Sequence, residues 1–495
     1  MIFLGIDLGT TSVKVVAMNE SGTILAESSA EYPLYYPKPG WAEQNPEDWW
    51  QGTITAIKAL LTSPSVNASD VVSIGFSGQM HGLVALNQQN QVLRPAILWC
   101  DQRTQTECDA ITNHFGPKGL LETVSNQALT GFTAPKLLWM KQHEPDLFDQ
   151  IAHILLPKDY ISFRLSGQYV TEVSDASGML LLDVKNRCWS KELCDFIGIS
   201  DHQLPKLYES YEVTGRVSDE ICALFGFGKD TLIVGGAGDQ AAGAIGTGAV
   251  KDGIISVTLG TSGVVFAAHD IFAADEDLRL HAFCHANGKY HSMGVMLSAA
   301  SCLKWWTDTV NPDIPFDQLL SEASESPASD DNLLFLPYLM GERTPYPDPY
   351  AKGTFIGLTP TTTRGQMTRA ILEGVSMGLK DSLKILTSMN IPIQEVRVIG
   401  GGAKSNLWLS ILASIFGTPV HKINTDQGGA LGAAILAAVG YGAYESVESA
   451  CSQIVKTVEC IHPTEAEISL YTKKYTAYQS LYAALKNWFE ETAQL

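Results

Sequence analysis

The chain of 495 residues has little positive charge to balance its negative charge. It carries 33 Lys and Arg against 53 Asp and Glu, which gives a formal net charge of −20. Such a chain is poorly suited to neutralise phosphate backbones, which argues against nucleic acid and anionic membrane surfaces as partners. An anionic ligand would therefore be held locally, by backbone amides, helix N-termini or a metal ion.

The sequence also lacks a cysteine framework and an N-terminal leader. Its nine cysteines are an odd number without a Cys-x-x-Cys pair, which indicates reduced thiols in a cytoplasmic protein. The opening residues, MIFLGIDLG, have no basic segment and carry Asp7, so we expect no signal peptide. One uncharged window, 427–444, consists largely of Gly and Ala, which favours a close-packed buried helix over a membrane span.

Two stretches of the chain resemble each other and predict two α/β halves. IDLGTTSVKVVAM (6–18) aligns with VTLGTSGVVFAAH (257–269), each read as a strand, a tight Gly/Thr turn and a second strand. A weaker similarity joins VSIGFSGQ (72–79) to VRVIGGGAKS (396–405), in which an apolar strand ends in a glycine turn. We place the boundary between the halves near residue 245; the alternative is a chance match of short hairpins.

Two further segments carry clear helix signals. TLIVGGAGDQAAGAIGTGAV (231–250) predicts a buried strand, a glycine turn and an Ala/Gly helix. The stretch 359–386 predicts a helix with its N-cap near Thr363. Its apolar residues recur at a spacing of four and form one ridge: Met367, Ile371, Val375, Leu379 and Leu383.

Two carboxylates stand among small residues beside apolar strands. Asp7 precedes Gly-Thr-Thr-Ser, where it is either a turn residue or a carboxylate that steers Mg²⁺ while the hairpin holds phosphate oxygens. Asp239 is the only charged residue between Asp230 and Lys251. It is either the N-cap of the following helix or a base that accepts a hydroxyl proton, and one aspartate can do both.

The segment SGQMHG (77–82), between two apolar runs, allows several roles for His81. It could be a base, a metal ligand, a substrate contact or an ordinary loop residue. No metal partner stands nearby in sequence and Asp239 suits the base role better, so we predict a substrate contact beside Met80. Trp99 ends an apolar stretch close to this loop in sequence and could form a wall of the same pocket.

Two other motifs are less specific. IGGGAKSNLWLSIL (399–412) places three glycines at a strand-to-helix turn, where a flat ligand can lie against backbone and Asn406 can reach a polar edge. It matches neither the P-loop nor the Gly-x-Gly-x-x-Gly pattern. His281, His285 and His291 alternate as in a strand and lack a nearby carboxylate pair or Cys set, which argues against zinc.

Taken together, five ordered motifs resemble the FGGY carbohydrate kinases of the actin, hexokinase and Hsp70 superfamily. GIDLGTTSVK is similar to the first phosphate loop, TLGTSG to the second, and GGGAKSN to the adenosine loop. GFTAPKLLWMKQH (131–143), with Lys136 and Trp139, and GTFIGLTPTTTRGQMTRAILE (353–373) are similar to the patterns of the two halves. The resemblance covers essentially the whole chain. It implies an α/β fold of two ribonuclease-H-like domains flanking a catalytic cleft, with 1–244 binding sugar and 245–495 binding nucleotide.

The resemblance also implies roles for single residues. Asp239 would be the general base, and Asp7 the carboxylate associated with Mg²⁺. The sugar contacts would be Met80, His81 and Gln240, with Trp99 added as the pocket wall. The ATP contacts would be Thr10, Thr11 and Lys14 at the β- and γ-phosphates, Gly260 and Thr261 on the other side of the phosphate chain, and Gly402 and Asn406 at the adenosine.

The Met-His pair of the GQMHG loop is similar to the family members that phosphorylate D-xylulose, where glycerol kinases carry Arg-Glu. The expected reaction is therefore transfer from ATP to the C5 hydroxyl of D-xylulose by a cytoplasmic enzyme. A homodimer is common in such kinases. Gln240 departs from the Asn that many such members have after the catalytic Asp, so ribulose, gluconate, erythritol or a deoxyketose remain alternative substrates.

Two readings from other classes also remain. One is an actin- or Hsp70-like ATPase switch, but only about sixty residues follow Gly432, too few for a peptide-binding domain. The other is a catalytically inactive sensor, against which the intact Asp7 and Asp239 argue.

Overall fold

The computed structural model describes residues 1–326, 328, 332–425 and 427–493, and its N-terminal half is built on one mixed sheet. The strand Ile2–Leu8 pairs antiparallel with Ser12–Asn19 and parallel with Val71–Gly78. The strands follow one another across the sheet in the order Val213–Arg216, Leu232–Val234, Val71–Gly78, Ile2–Leu8, Ser12–Asn19 and Ile24–Glu31, and Ala237–Gly238 also pairs with Val71–Gly78.

The C-terminal half contains a second sheet with the same central arrangement. Ile254–Leu259 pairs antiparallel with Gly263–His269 and parallel with Glu395–Ile399. The order across this sheet is His281–Cys284, Tyr290–Met296, Gly263–His269, Ile254–Leu259, Glu395–Ile399, Val420–Ile423 and Thr457–Ile461. Both similarities within the sequence thus correspond to equivalent strands, and the predicted two-part α/β fold is confirmed.

Helices and short strand pairs complete the two halves. The N-terminal half has the helices Pro46–Leu60, Gln105–Thr123, Thr133–His143, Pro145–Phe148, Pro157–Ser166, Val173–Ala176, Lys191–Ile197, Asp219–Phe225 and Asp239–Thr247. The C-terminal half has Ala300–Trp305, Phe316–Glu325, Arg364–Ser388, Asn406–Phe416, Gly428–Tyr441, Val447–Ile454 and Glu465–Thr492. The short pairs are Glu43–Gln44 with Ala96–Ile97, Val84–Leu86 with His153–Leu155, Val170–Glu172 with Lys206–Tyr208, Leu182–Asp183 with Cys188–Trp189, and Leu334–Leu336 with Thr354–Ile356.

The long helix Arg364–Ser388 begins where its sequence predicts. Thr363 is the N-cap, and a capping box joins its side chain and backbone to Gln366. Four residues of the predicted ridge are buried in the core of the C-terminal half, namely Ile371, Val375, Leu379 and Leu383, and the fifth, Met367, is partly buried against it.

The helix Gly428–Tyr441 of the C-terminal half packs on the sheet of the N-terminal half. A Cβ atom at Gly5 would lie 2.0 Å from the carbonyl oxygen of Ala430, and one at Gly75 would lie 2.2 Å from that of Ala433. Only glycine allows such close approach of helix and strand. No helix in the described ranges is long and apolar enough to cross a membrane.

The helix Asp239–Thr247 lies at the junction of the halves and packs against Gly428–Tyr441. Gly432 and Gly246 make the close approaches, to the backbone of Ala242 and Gly428 respectively. The edge strand His281–Cys284 forms a second connection, because the side chain of Asn126 both accepts from and donates to the backbone of Ala282. The predicted boundary near residue 245 falls inside the junction helix, and the assignment of 1–244 and 245–495 as domains stays a prediction.

Candidate active site

Asp7 lies near the end of its strand, directly beside Ser77 on the neighbouring parallel strand. The Ser77 hydroxyl donates to Asp7 Oδ1 at 2.7 Å, and Oδ2 accepts no hydrogen bond from the described part of the chain. Gly429 lies against both side chains, since a Cβ there would be 2.5 Å from the Ser77 oxygen. Burial raises the pKa of Asp7, while Ser77 and Lys14 oppose the shift.

This arrangement fits Mg²⁺ bound together with a nucleotide. Mg²⁺ is commonly held by one or two carboxylates and completed by water and substrate phosphates. Asp7 offers one free carboxylate oxygen, and the described residues include no group of three or more His, Cys, Asp or Glu that could hold a metal alone.

Asp239 is the second carboxylate of the site. It is the first residue of its helix, and Gly238 occupies the N-cap position, so the predicted alternative of an N-cap role is not what the structure has. Burial raises the pKa of Asp239 to about 7, and the negative charge of Asp7 adds to the shift. Hydrogen bonds from the backbone and side chain of Gln240 oppose it. Asp7 and Asp239 are both partly exposed and differ in their hydrogen-bond partners, Ser77 for Asp7 and Gln240 for Asp239.

A buried charged cluster lies behind Asp239. The Lys158 ammonium contacts three carboxylates at 2.6 to 3.4 Å: Asp159, Glu172 and Asp175. Both carboxylate oxygens of Asp175 lack a hydrogen bond within the described residues. Burial raises the pKa of Asp175, and the charge of Asp239 contributes to this. The cluster also reaches the start of the helix Asp239–Thr247, because Ser174, whose amide donates to Glu172, accepts a hydrogen bond from the Gly238 amide.

Met80 lies next to the residue that precedes Asp239, and His81 follows Met80 in the same loop. The Met80 side chain fills the place that a Cβ of Gly238 would take, 2.9 Å away. The His81 ring packs on Phe132 at 4.8 Å, and its Nδ1 lies 2.6 Å from the Gly178 carbonyl oxygen. Because a carbonyl oxygen only accepts, Nδ1 carries the proton. Burial, reinforced by Lys136, holds the pKa of His81 well below its usual value, so the ring is neutral and Nε2 is an acceptor.

The backbone of His81 is held in the left-handed region, with φ of 71°. Such a conformation is unfavourable for a residue with a side chain and is maintained by its surroundings. Thr133 and Lys136 hold this conformation, because both donate to the His81 carbonyl oxygen, at 3.0 and 2.8 Å. The GFTAPK stretch that carries part of the family resemblance therefore fixes the position of His81.

The first hairpin lies beside this loop. Thr10 and Thr11 form its turn, which the Gly9 amide closes by donating to the Ser12 carbonyl. Lys14 stands opposite Asp7 in the antiparallel register and pairs with Glu27 at 3.2 Å. Trp99 is 41% exposed and donates to the Thr10 hydroxyl at 3.0 Å, so it lines the hairpin side of the site.

The second hairpin and the glycine loop are packed together. Gly260 and Thr261 form a turn closed by the Gly260 amide and the Ser262 carbonyl. Gly400 has φ of 92°, and Gly402 is buried against the side chain of Leu259, next to that turn. Asn406 is exposed at the start of its helix and accepts a hydrogen bond from Lys422. The structure thus brings together two groups of predicted ATP contacts, those of the second hairpin (Gly260 and Thr261) and those of the glycine loop.

Three site residues escaped the sequence analysis: Ser77, Lys158 and Asp175. Lys158 follows the apolar stretch ILLP, as ordinary surface charges also do, and Asp175 follows the mixed stretch TEVS, so sequence offered no signal. Ser77 begins the segment SGQMHG, and its contact with Asp7 depends on pairing between strands that are 70 residues apart.

Two family models match consecutive parts of the chain. The N-terminal domain of the FGGY family of carbohydrate kinases matches residues 2–246, and the C-terminal domain matches residues 255–441. The chain belongs to the FGGY family of carbohydrate kinases. The family resemblance found in the sequence is thereby confirmed, and the protein is a carbohydrate kinase.

Individual FGGY relatives match along almost the entire chain. Xylulose kinase of Bacillus subtilis (strain 168) is 41% identical over 98% of this chain and 97% of its own. The structure of a xyloylose kinase from Brucella ovis superimposes with a TM-score of 0.94 and 38% identity, over 98% of this chain and 100% of that one. A gluconate kinase from Lactobacillus acidophilus has the same TM-score, 0.94, with 28% identity and 99% coverage of both chains.

Proposed function

We propose that this FGGY kinase transfers the γ-phosphoryl group of ATP to the C5 hydroxyl of D-xylulose, giving D-xylulose 5-phosphate and ADP. The observation that carries the proposal is the position of Asp239, a half-buried carboxylate with raised pKa, between Asp7 and the Met80–His81 loop. The xylulose kinase from B. subtilis, 41% identical, supports this choice of sugar.

Asp239 is the general base in this reaction. Its carboxylate accepts the proton of the C5 hydroxyl as that oxygen attacks phosphorus. A base whose pKa lies near 7 is matched to work at neutral pH. Because the transition state of phosphoryl transfer is loose, orientation of the hydroxyl contributes more than the strength of the base.

The sugar lies along the Met80–His81 loop. Met80 packs beside the residue before Asp239 and fills apolar space next to the reacting end. Nε2 of the neutral His81 accepts a hydrogen bond from a sugar hydroxyl, because Nδ1 is already engaged with Gly178. Gln240 and Trp99 are proposed as further sugar contacts.

ATP is held between the two hairpins. Thr10, Thr11 and Lys14 contact the β- and γ-phosphates, Gly260 and Thr261 contact the other side of the phosphate chain, and Gly402 and Asn406 contact the adenosine. Asp7 would hold Mg²⁺, which neutralises charge on the phosphates when bound. Residues 1–244 thus form the sugar-binding domain and 245–495 the nucleotide-binding domain, in a cytoplasmic enzyme that we propose to be a homodimer.

The test is a coupled assay of ADP release with a panel of sugars, including D-xylulose, ribulose, gluconate, erythritol and a deoxyketose. We expect D-xylulose to give the highest kcat/KM and Asp239→Ala to abolish its phosphorylation while ATP still binds. A clear preference for another sugar would overturn the specific proposal and leave the kinase class intact. Near-normal turnover by Asp239→Ala would remove Asp239 from the mechanism, and ADP release that no sugar stimulates would indicate an ATPase switch.

A further inference from the structure

Arg343 is a half-buried cation. Within the described ranges its guanidinium makes no ion pair and donates no hydrogen bond, and the neighbouring Glu342 accepts from the Arg343 backbone amide instead. Burial of the guanidinium lowers the pKa of Arg343, and Glu342 only partly offsets this. A half-buried guanidinium of this kind presents several donors in a planar fork to the acceptors of a ligand.

The backbone on both sides of Arg343 is fixed. Glu342 Oε1 accepts from the amides of Leu297 and Arg343, at 3.0 and 2.7 Å. Thr344 donates its amide to the Val295 carbonyl, and its hydroxyl accepts from the Val295 amide, both at 3.1 Å. The segment is therefore fastened to the strand Tyr290–Met296, and Arg343 is held in place before any ligand arrives.

The same segment is also fastened from the opposite side. Tyr346 stacks on Tyr482 of the helix Glu465–Thr492, with ring centroids 3.7 Å apart and planes at 11°. The Tyr482 hydroxyl donates to Asp348 at 2.9 Å. A loop fixed by two elements of the core is suited to a precise contact rather than to a mobile surface role.

Arg343 lies where the C-terminal half meets the proposed sugar loop. The His81 and His281 rings pack on the same phenylalanine, Phe132, at 4.8 and 5.6 Å. Burial is the main cause of the lowered pKa of both histidines, and the charge of Arg343 is a lesser cause at each, after Lys136 and His281 in the case of His81. Both rings are neutral, so neither serves as a counter-ion for Arg343.

The order of contacts gives the sugar a direction. Asp239 marks the reacting end, Met80 packs on Gly238 beside it, and the Met80 methyl group and the His81 ring both border Gly178 further on. A sugar whose C5 hydroxyl is at Asp239 therefore extends past Met80 towards His81. The carbon atoms remote from C5 then approach Phe132 and His281, whose strand pairs with Tyr290–Met296, the strand to which the segment of Arg343 is fastened.

The chemistry of the substrate supplies an acceptor at that end. In the ring form of a 2-ketopentose the C5 oxygen is bonded to C2, so a free C5 hydroxyl exists only in the open chain with a C2 carbonyl. A carbonyl oxygen accepts hydrogen bonds and donates none, while a guanidinium donates and does not accept. Resting on the proposed function, we infer that Arg343 binds the C2 carbonyl of the open-chain sugar and so selects ketoses over the corresponding polyols.

The experiment compares D-xylulose with D-arabinitol, in which the carbonyl is reduced to a hydroxyl, at saturating ATP. We expect Arg343→Met to raise the KM for D-xylulose by about 10- to 100-fold, with a much smaller change for D-arabinitol and a KM for ATP within about twofold. Arg343→Lys keeps the charge and loses the planar fork, so its KM for D-xylulose should lie between those of the wild type and Arg343→Met. Arg216→Met, which removes an exposed arginine far from the loop, is the control and should change neither KM.

Several outcomes overturn the inference. An unchanged KM for D-xylulose would show that Arg343 does not bind it, and equal increases for ketose and polyol would remove the carbonyl contact. An equal rise in the KM for ATP would indicate a structural role. So would a lower unfolding temperature without a change in the KM for D-xylulose. If the wild-type enzyme prefers gluconate, the proposed function fails separately; Arg343 is then tested with gluconate, whose carboxylate would be the acceptor.

Discussion

The Ser77 hydroxyl donates a 2.7 Å hydrogen bond to Asp7, across two parallel strands that end at the same place. The bond fixes one oxygen of the carboxylate and leaves the other available to bind a ligand such as Mg²⁺. Partners of this kind orient metal-binding carboxylates and are often needed for full affinity.

Ser77→Ala should weaken the binding of Mg²⁺ without unfolding the protein. Loss of the hydrogen bond frees the Asp7 carboxylate to rotate, so we expect about a 10-fold higher Mg²⁺ concentration for half-maximal activity. Ser73→Ala is the matched control, because Ser73 lies buried on the same strand and its hydroxyl has no hydrogen-bond partner in the described ranges. Equal Mg²⁺ titrations for both variants would contradict the role of Ser77.

His81→Ala should raise the KM for the sugar much more than the KM for ATP. The variant removes one acceptor from the Met80–His81 loop, and a lost hydrogen bond of this kind corresponds to about a 3- to 10-fold change in the KM for the sugar. Steady-state kinetics with each substrate varied in turn measures the effect, with the exposed His202→Ala as control. If ATP binding suffers to the same extent, the loop has a structural role only.

Asp239→Asn should stabilise the unliganded protein, and more so at high pH. The folded-state pKa of about 7 lies above the ordinary value of 3.8, so ionisation of Asp239 opposes folding. This cost is absent below about pH 4, grows as the pH rises towards 7 and is complete above it. We expect thermal unfolding without ATP and Mg²⁺ to show a gain about 2 to 4 °C larger at pH 8 than at pH 5.

The exposed Asp230 provides the control for that measurement, since Asp230→Asn removes a charge that is 89% exposed. Its effect on the unfolding temperature should not increase between pH 5 and pH 8. A gain for Asp239→Asn that is equal at both pH values would show that Asp239 ionises normally in the folded state.

Gly432→Ala should destabilise the junction of the two halves. The added Cβ would lie 1.9 Å from the Ala242 carbonyl oxygen, so two helix backbones must move apart. We expect a loss of about 3 kcal/mol or more in the free energy of unfolding. Gly243→Ala, in the facing helix, meets no atom within 4 Å and should leave stability unchanged or raise it. Chemical denaturation of both variants measures the free energy of unfolding. Equal losses would contradict a close approach of the two helices at Gly432.

Local chemistry explains which parts of the fold could be predicted from sequence. The two hairpins depend on Gly-Thr turns, and the helix Arg364–Ser388 depends on Thr363 and Gln366, all within a few residues of the elements they define. The two hairpins contain six of the predicted site residues: Asp7, Thr10, Thr11, Lys14, Gly260 and Thr261. The others, such as Met80, His81 and Asp239, lie outside these motifs. Their individual roles in binding sugar, ATP and Mg²⁺ stay predictions, and the experiments above address them.

The remainder of the site depends on contacts between distant segments. The raised pKa of Asp239 arises from burial and from Asp7, which is more than 200 residues away in sequence. The place of Arg343 is set by Glu342 and Thr344, which are fastened to the strand Tyr290–Met296 and the residue after it. No periodicity in its segment, GERTPYPDP (341–349), indicates this.

The helix Gly428–Tyr441, whose packing on Gly5 and Gly75 joins the two halves, has a consequence for synthesis of the protein. The strands Ile2–Leu8 and Val71–Gly78 leave the ribosome early, but the helix that covers them is made more than 350 residues later. During elongation the face of this sheet is therefore exposed to water, and nascent chains that end before residue 428 expose an apolar surface that chaperones recognise. The sheet of the N-terminal half is thus covered only after residues near the end of the chain have been made.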